Sequence, residues 1–145
     1  MEETLALAHE RVKNVVVVGG GAAAANFVKA FVDAGRGSEV CVVSDEPVVP
    51  YDRTTLSKAF LRKEGPSRLN TIFHIGEDRS GTAQTAEWYK NHGVEVILST
   101  RIAKVDPATK TLFTQAGRTF TYKRLVAATG SSTVDPPEEL GFYQS

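Results

Sequence analysis

The sequence predicts an α/β fold, a parallel βαβ unit followed by a β-hairpin meander, and three observations carry that expectation. A continuous β-branched run, Val15 to Val18, leads into three glycines and an alanine-rich stretch. A second apolar run, Glu39 to Val43, follows Gly35. Further on, the short alternating segments IAKVD, TLFTQ and RTFTY are separated by PATK and AG. At 145 residues the chain suits a single hydrophobic core.

Each element has a local reason. Val15 to Val18 lacks polar alternation, as expected of a parallel strand buried on both faces. The stretch AAAANFVKAFVDAG is predicted helical because alanine is the best helix former. Phe27 and Phe31 lie one turn apart, and Ala24 and Ala34 extend that stripe. Gly35 is expected to end the helix in a left-handed conformation. EVCVV, from Glu39 to Val43, reads as a second buried strand, which a right-handed crossover sets parallel to the first. Asp45 to Pro50 is turn-like, and a short helix is expected around Thr55 to Arg62, ended by Gly65 and Pro66. Ser67 to Gly81 reads as an irregular loop. A helix is expected from near Thr82 to Gly93, with Trp88 and Tyr89 as core or interface aromatics. Val94 to Leu98 is a third strand, the three alternating segments form the meander, and LVAA, from Leu125 to Ala128, is a further apolar strand. The tail from Thr133 reads as loop.

Composition excludes several function classes. Seventeen basic and 17 acidic residues cancel, which removes the usual footprint of a nucleic-acid or anionic-membrane binder. No apolar run approaches the ~18 residues of a spanning helix. The opening MEETLALAHERVKN is too acidic and too weakly apolar for a signal peptide, so cytoplasm is the expected compartment, with an organellar protein after processing as the open alternative. Cys41 stands alone, and the three histidines are scattered, so no metal site or nucleophile–base pair is expected.

The sharpest motif is Gly19-Gly20-Gly21-Ala22-Ala23-Ala24, placed between the first strand and its helix. It matches the dinucleotide fingerprint G-x-G-x-x-G/A through Gly19, Gly21 and Ala24. Gly19 permits the tight turn, Gly21 lets a pyrophosphate approach the backbone, and Ala24 lets the helix pack closely. The helix N-terminus then offers unpaired N–H groups and a positive dipole end to phosphates. Asp45 and Glu46 follow the second strand, where an acid hydrogen-bonds the adenosine ribose. The residues alone do not choose between them. This context makes the expected fold Rossmann-type.

A second motif, Pro50-Tyr51-Asp52-Arg53-Thr54-Thr55-Leu56-Ser57-Lys58, extends the reading. VVVVGGGAAAANF followed by SDEPVVPYDRTTLSKAFL resembles the N-terminus of monodehydroascorbate reductases and related ferredoxin-reductase-like flavoproteins. The likeness continues through WYKNHGVEVILSTRIAKVD and LVAATGSS, from about Asn14 to Ser132. It implies a Rossmann-type FAD-binding βαβ fold with an appended β-hairpin meander. It implies that Gly19, Gly20, Gly21, Ala22 and Ala23 contact the FAD pyrophosphate, and that Glu46, in preference to Asp45, holds the ribose. Arg53 and Lys58 match FAD-contacting positions, Lys58 near the flavin ring, where a cation stabilises charge on the reduced cofactor. Ile102 matches a position whose backbone meets the adenine end, and Ala128, Thr129 and Gly130 match the family's ATG motif. Read from the residues alone, Arg53 could instead pair with a neighbouring acid such as Asp52.

The disulfide reductases of this superfamily carry a redox cysteine pair where this chain has YDRTTLSK, so a protein disulfide is not expected to carry electrons here. Cys41 is expected simply to pack. Thr54 departs from the family's proline, which implies a less constrained loop around Arg53. Family members also run on much further, with a second glycine-rich motif for NAD(P)H and a later strand that completes the FAD domain. Residues 1–145 are therefore expected to form a single, incomplete FAD-binding domain. By resemblance, the function is hydride transfer from NAD(P)H to FAD and single-electron delivery to a small-molecule acceptor, monodehydroascorbate. NAD(P)H would act only if the missing domain is supplied, and a protein partner could complete the sheet. The competing expectations are a non-catalytic flavoprotein-derived subunit within a larger assembly and a stand-alone NAD-binding domain.

Overall fold

A computed structural model describes residues 12–55 and 83–131. Apart from its first residue, Thr55, which ends a 3-10 turn, Arg53–Thr55, the expected helix around Thr55 to Arg62 lies outside those residues, as do the loop from Ser67 to Gly81 and the tail from Thr133. Within them, β1 (Lys13–Val18), α1 (Ala22–Asp33) and β2 (Val40–Val43) build the first unit. Then come α2 (Ala86–Asn91), β3 (Glu95–Ile97), β4 (Ile102–Asp106), β5 (Thr111–Thr114) and β6 (Thr119–Ala127). The strands run in the order β3-β2-β1-β6-β5-β4. The first four are mutually parallel, and the β6–β5 and β5–β4 pairs are antiparallel.

The unbroken valines of β1 and β2 are explained by two cores, one on each face of the sheet. On one face Val17, Val40 and Val42 pack with Ala24 and Val28 of α1 and Trp88 and Tyr89 of α2. On the other face Val16, Cys41 and Val43 pack with Leu112, Phe120 and Tyr122 of the meander. Cys41 packs as expected, only 2% exposed. The α1 stripe is set differently from the expected one. Ala24, Ala25 and Val28 are its buried residues, Phe27 and Phe31 flank them half-buried, and Ala34 is exposed. Two alanines at the centre let the helix sit close to the sheet, which pushes the aromatic rings to the margin.

Both helices end in the same way. Gly35, at φ +71°, donates to the Val32 carbonyl at 2.9 Å, and Arg36 N–H reaches the Phe31 carbonyl at 2.8 Å. Gly93, at φ +70°, donates to Lys90 at 3.0 Å, and Val94 N–H reaches Tyr89 at 3.0 Å. Both pairs are the Schellman arrangement, which satisfies carbonyls the helix leaves open. At its start α2 is capped by Thr85, whose side chain accepts from Trp88 N–H at 3.1 Å.

Some boundaries differ from expectation. Glu39 belongs to a 3-10 turn ahead of β2 and ion-pairs with Arg36. RTFTY and LVAA are one strand, β6, rather than two. Its first residues, Thr119–Thr121, pair with β5, and Tyr122 to Ala127 pair with β1. The polar residues Lys123 and Arg124 mark a change of partner, not an end of strand.

Candidate functional site

The carboxyl ends of β1, β2, β3 and β6 meet at one edge of the sheet, the edge at which open α/β folds bind ligands. Short backbone bonds tie them together. Gly19 N–H donates to the Val43 carbonyl at 2.9 Å, Ser44 N–H to Ile97 at 2.9 Å, and Ala128 N–H to Val18 at 2.8 Å. Gly19 has φ +127°, and a Cβ there would collide with the Ala128 carbonyl, so only glycine fits. Two loops expected from separate motifs, Gly19–Gly21 and Ala128–Gly130, are thus in direct contact.

The glycine loop opens onto α1 without a plug. Gly21 is the cap residue, no side chain hydrogen-bonds the cap, and the first turn holds no acid. The first N–H groups of the helix therefore keep their donor capacity, and the dipole end faces the cleft.

That cleft has a volume of about 830 Å³, within the ~300–1,000 Å³ common for small-molecule sites. Gly19, Gly20, Gly21, Ala22 and Ala23 line it on one side, with Ala128, Thr129 and Gly130 beside them. Glu46, Arg53 and Ile102 also line it, with Arg53 next to the glycine loop: a Cβ on Gly21 would stand 3.8 Å from its Nε. Of the twelve residues nominated from sequence, only Lys58 is missing from this wall, and it lies outside the described residues. Sequence reasoning missed Thr100 and Arg101, which also line the cleft. No local motif marks them, because they enter only through the loop that joins β3 to β4.

Asp45 and Glu46 both line the cleft, in different settings. Asp45 is exposed, whereas Glu46 is half-buried and its Oε1 is ion-paired to the Arg53 guanidinium. Arg53 also stands 5.2 Å from the centre of the Tyr51 ring. Burial, and then Glu46, push the Tyr51 phenol above its ordinary range. Ser44 fills the strand end: its hydroxyl accepts from Glu46 N–H at 3.2 Å and stands where a Cβ on Gly20 would have to go. Thr54 compensates for the missing proline. Its N–H donates to Asp52 Oδ1 at 2.9 Å and its hydroxyl to the same oxygen at 2.6 Å, which closes the turn at Arg53.

These features fit an adenine dinucleotide. The glycine loop carries no side chain into the cleft, the helix terminus is open to a diphosphate, and a carboxylate paired to Arg53 stands just past the end of β2. Among the described residues no group of three or more His, Cys, Asp or Glu could hold a metal ion, and no helix is long and apolar enough to cross a membrane.

Comparison with known proteins points the same way. A family model described as pyridine nucleotide-disulphide oxidoreductase matches residues 13–143. A peroxisomal monodehydroascorbate reductase of Arabidopsis thaliana is 44% identical over 127 residues, covering 87% of this chain and 26% of the relative. A cytosolic monodehydroascorbate reductase of Oryza sativa subsp. japonica is 42% identical, covering 82% and 27%. Among solved structures, a covalent putidaredoxin reductase–putidaredoxin complex aligns with TM-score 0.61 and 25% identity, over 86% of this chain and 27% of that one. The chain thus spans about a quarter of the length of the relatives it matches.

Proposed function

This chain belongs to the pyridine nucleotide-disulphide oxidoreductase family, and we propose that it is the FAD-binding part of a flavoenzyme that resembles monodehydroascorbate reductase. One observation carries the reading. Eleven residues nominated from three separate motifs and two strand ends line a single cleft at the ligand-binding edge of the sheet.

In this reading Gly19 to Ala23 hold the FAD diphosphate by backbone N–H groups and the α1 terminus. Glu46 accepts from the adenosine ribose hydroxyls. Arg53 fixes that carboxylate, which retains further lone pairs for the sugar. Ile102 borders the adenine end, Ala128 to Gly130 border the path towards the flavin, and Lys58 supplies a cation near its ring. Bound FAD supplies hydride acceptance and single-electron transfer; the protein's share is binding, orientation and charge. NAD(P)H as donor and monodehydroascorbate as acceptor come to this chain through its relatives' activity. A protein segment that completes the sheet has a place to add. Along Arg124–Ala127, β6 pairs with β1 on one side, and no described strand pairs with the other.

The test is the visible spectrum of the purified chain after FAD addition and gel filtration, followed by anaerobic NADH. Retained flavin absorbance is the expected result. Bleaching by NADH then means the chain also serves as donor site, and flavin that stays oxidised means the donor site belongs to a further segment. A colourless protein after saturating FAD overturns the proposal and favours the structural-subunit reading.

A further inference from the structure

Two arginines line the cleft, and they are not equivalent. Arg53 is committed to Glu46 and lies over Tyr51. Arg101 is exposed and, among the described residues, has no ion-pair partner. Its backbone is nevertheless fixed from both sides. Ser99 N–H donates to the Glu46 carbonyl at 2.9 Å, Thr100 N–H to Ser44 at 2.8 Å, and Gln115 N–H to the Arg101 carbonyl at 2.9 Å. Ser99 holds the positive φ of +49° that this tight turn requires. A cation on a fixed base thus stands beside the turn that carries Glu46.

Its position selects the part of the ligand it can meet. The bonds of Ser99 to Glu46 and of Thr100 to Ser44 seat Arg101, just ahead of β4, against the turn after β2 that carries Glu46, not on the β1–α1 loop of the glycines. The diphosphate belongs to the glycine loop and the ribose to Glu46, so the group nearest Arg101 is the base. Adenine is flat and uncharged, and a planar, weakly hydrated guanidinium stacks on such a face better than an ammonium does. We infer that Arg101 is a further cofactor-binding residue, its guanidinium lying against the adenine ring. In that role it favours adenine-bearing flavins over the mononucleotide.

The inference rests on the FAD reading, so the experiment separates the two. The unsubstituted chain, Arg101→Ala and Arg101→Lys are each titrated with FAD and with FMN, by flavin fluorescence at several KCl concentrations. Thermal melts check that each variant folds. Arg101→Ala is expected to weaken FAD about fivefold, the scale of an exposed cation–π contact. Arg101→Lys should recover less than half of that loss. FMN affinity and the salt dependence of FAD binding should be the same in all three proteins. An Arg101→Ala variant that binds FAD as tightly as the unsubstituted chain overturns the inference. So does a parallel loss for FAD and FMN, which means a structural lesion. Full rescue by lysine, with a shallower salt dependence in the alanine variant, also overturns it in favour of a phosphate contact. An unsubstituted chain that binds no FAD overturns the parent reading, and the inference with it.

Discussion

Gly20 shows how closely single side chains are fitted around the cleft. A Cβ at Gly20 would overlap the hydroxyl of Ser44, which is itself only 1% exposed and has little room to swing away. Gly20→Ala is therefore expected to cost about 1–3 kcal/mol of stability, as overpacking does, and to weaken FAD binding. Ser44→Gly added to it should recover part of the loss. Denaturant melts of the two single variants and the double variant measure this, and a coupling energy near zero would show that the two positions do not compete for space. The glycine fingerprint was legible in the sequence because backbone proximity dictates its spacing locally. The Arg53–Glu46 pair was not, since it depends on how the turn containing Pro47 and Pro50 folds back on itself. Arg101 was illegible for a related reason: its place comes from backbone bonds to the distant residues Ser44 and Glu46.

Helix ends were the most legible elements, because Gly35 and Gly93 do their work within one turn of chain. Faces and strand limits were less so. Tertiary contact decides which side of an alanine-rich helix is buried, and the single strand β6, which changes partner along its length, reads from sequence as the two segments RTFTY and LVAA. The α2 helix supplies an element-scale prediction. Tyr89 is 1% exposed, its hydroxyl donates to the buried Gln84 Oε1 at 3.0 Å, and burial pushes its phenol well above the ordinary range. Ionised tyrosine is favoured in the unfolded chain, where its pKa is about 10. The folded state's advantage is therefore full below that pH and declines as pH rises above it. Urea melts from pH 8 to 11 should show that decline. Tyr89→Phe should flatten it, while costing about 1–3 kcal/mol at pH 8 because Gln84 loses its donor. An alkaline slope unchanged in the variant would assign the decline to other groups.

For the molecule as a whole, the βαβ unit and the meander could each be read from nearby residues, but their joining could not. The pairing of β1 with β6 brings together residues more than a hundred positions apart, such as Val15 and Arg124. Contacts of that separation carry a high loop-closure cost and form slowly, whereas the β4–β5 and β5–β6 hairpins close over a few residues. During refolding, pulse-labelled amides of the hairpins should be protected before those of β1. FAD capture should return only in the slowest phase, and its return together with the hairpins would refute this order. The cause lies in the contact between Gly19 and the Ala128 carbonyl. The two halves of the cradle belong to opposite ends of the folding problem, so ligand capture serves as a clock for the last step of assembly.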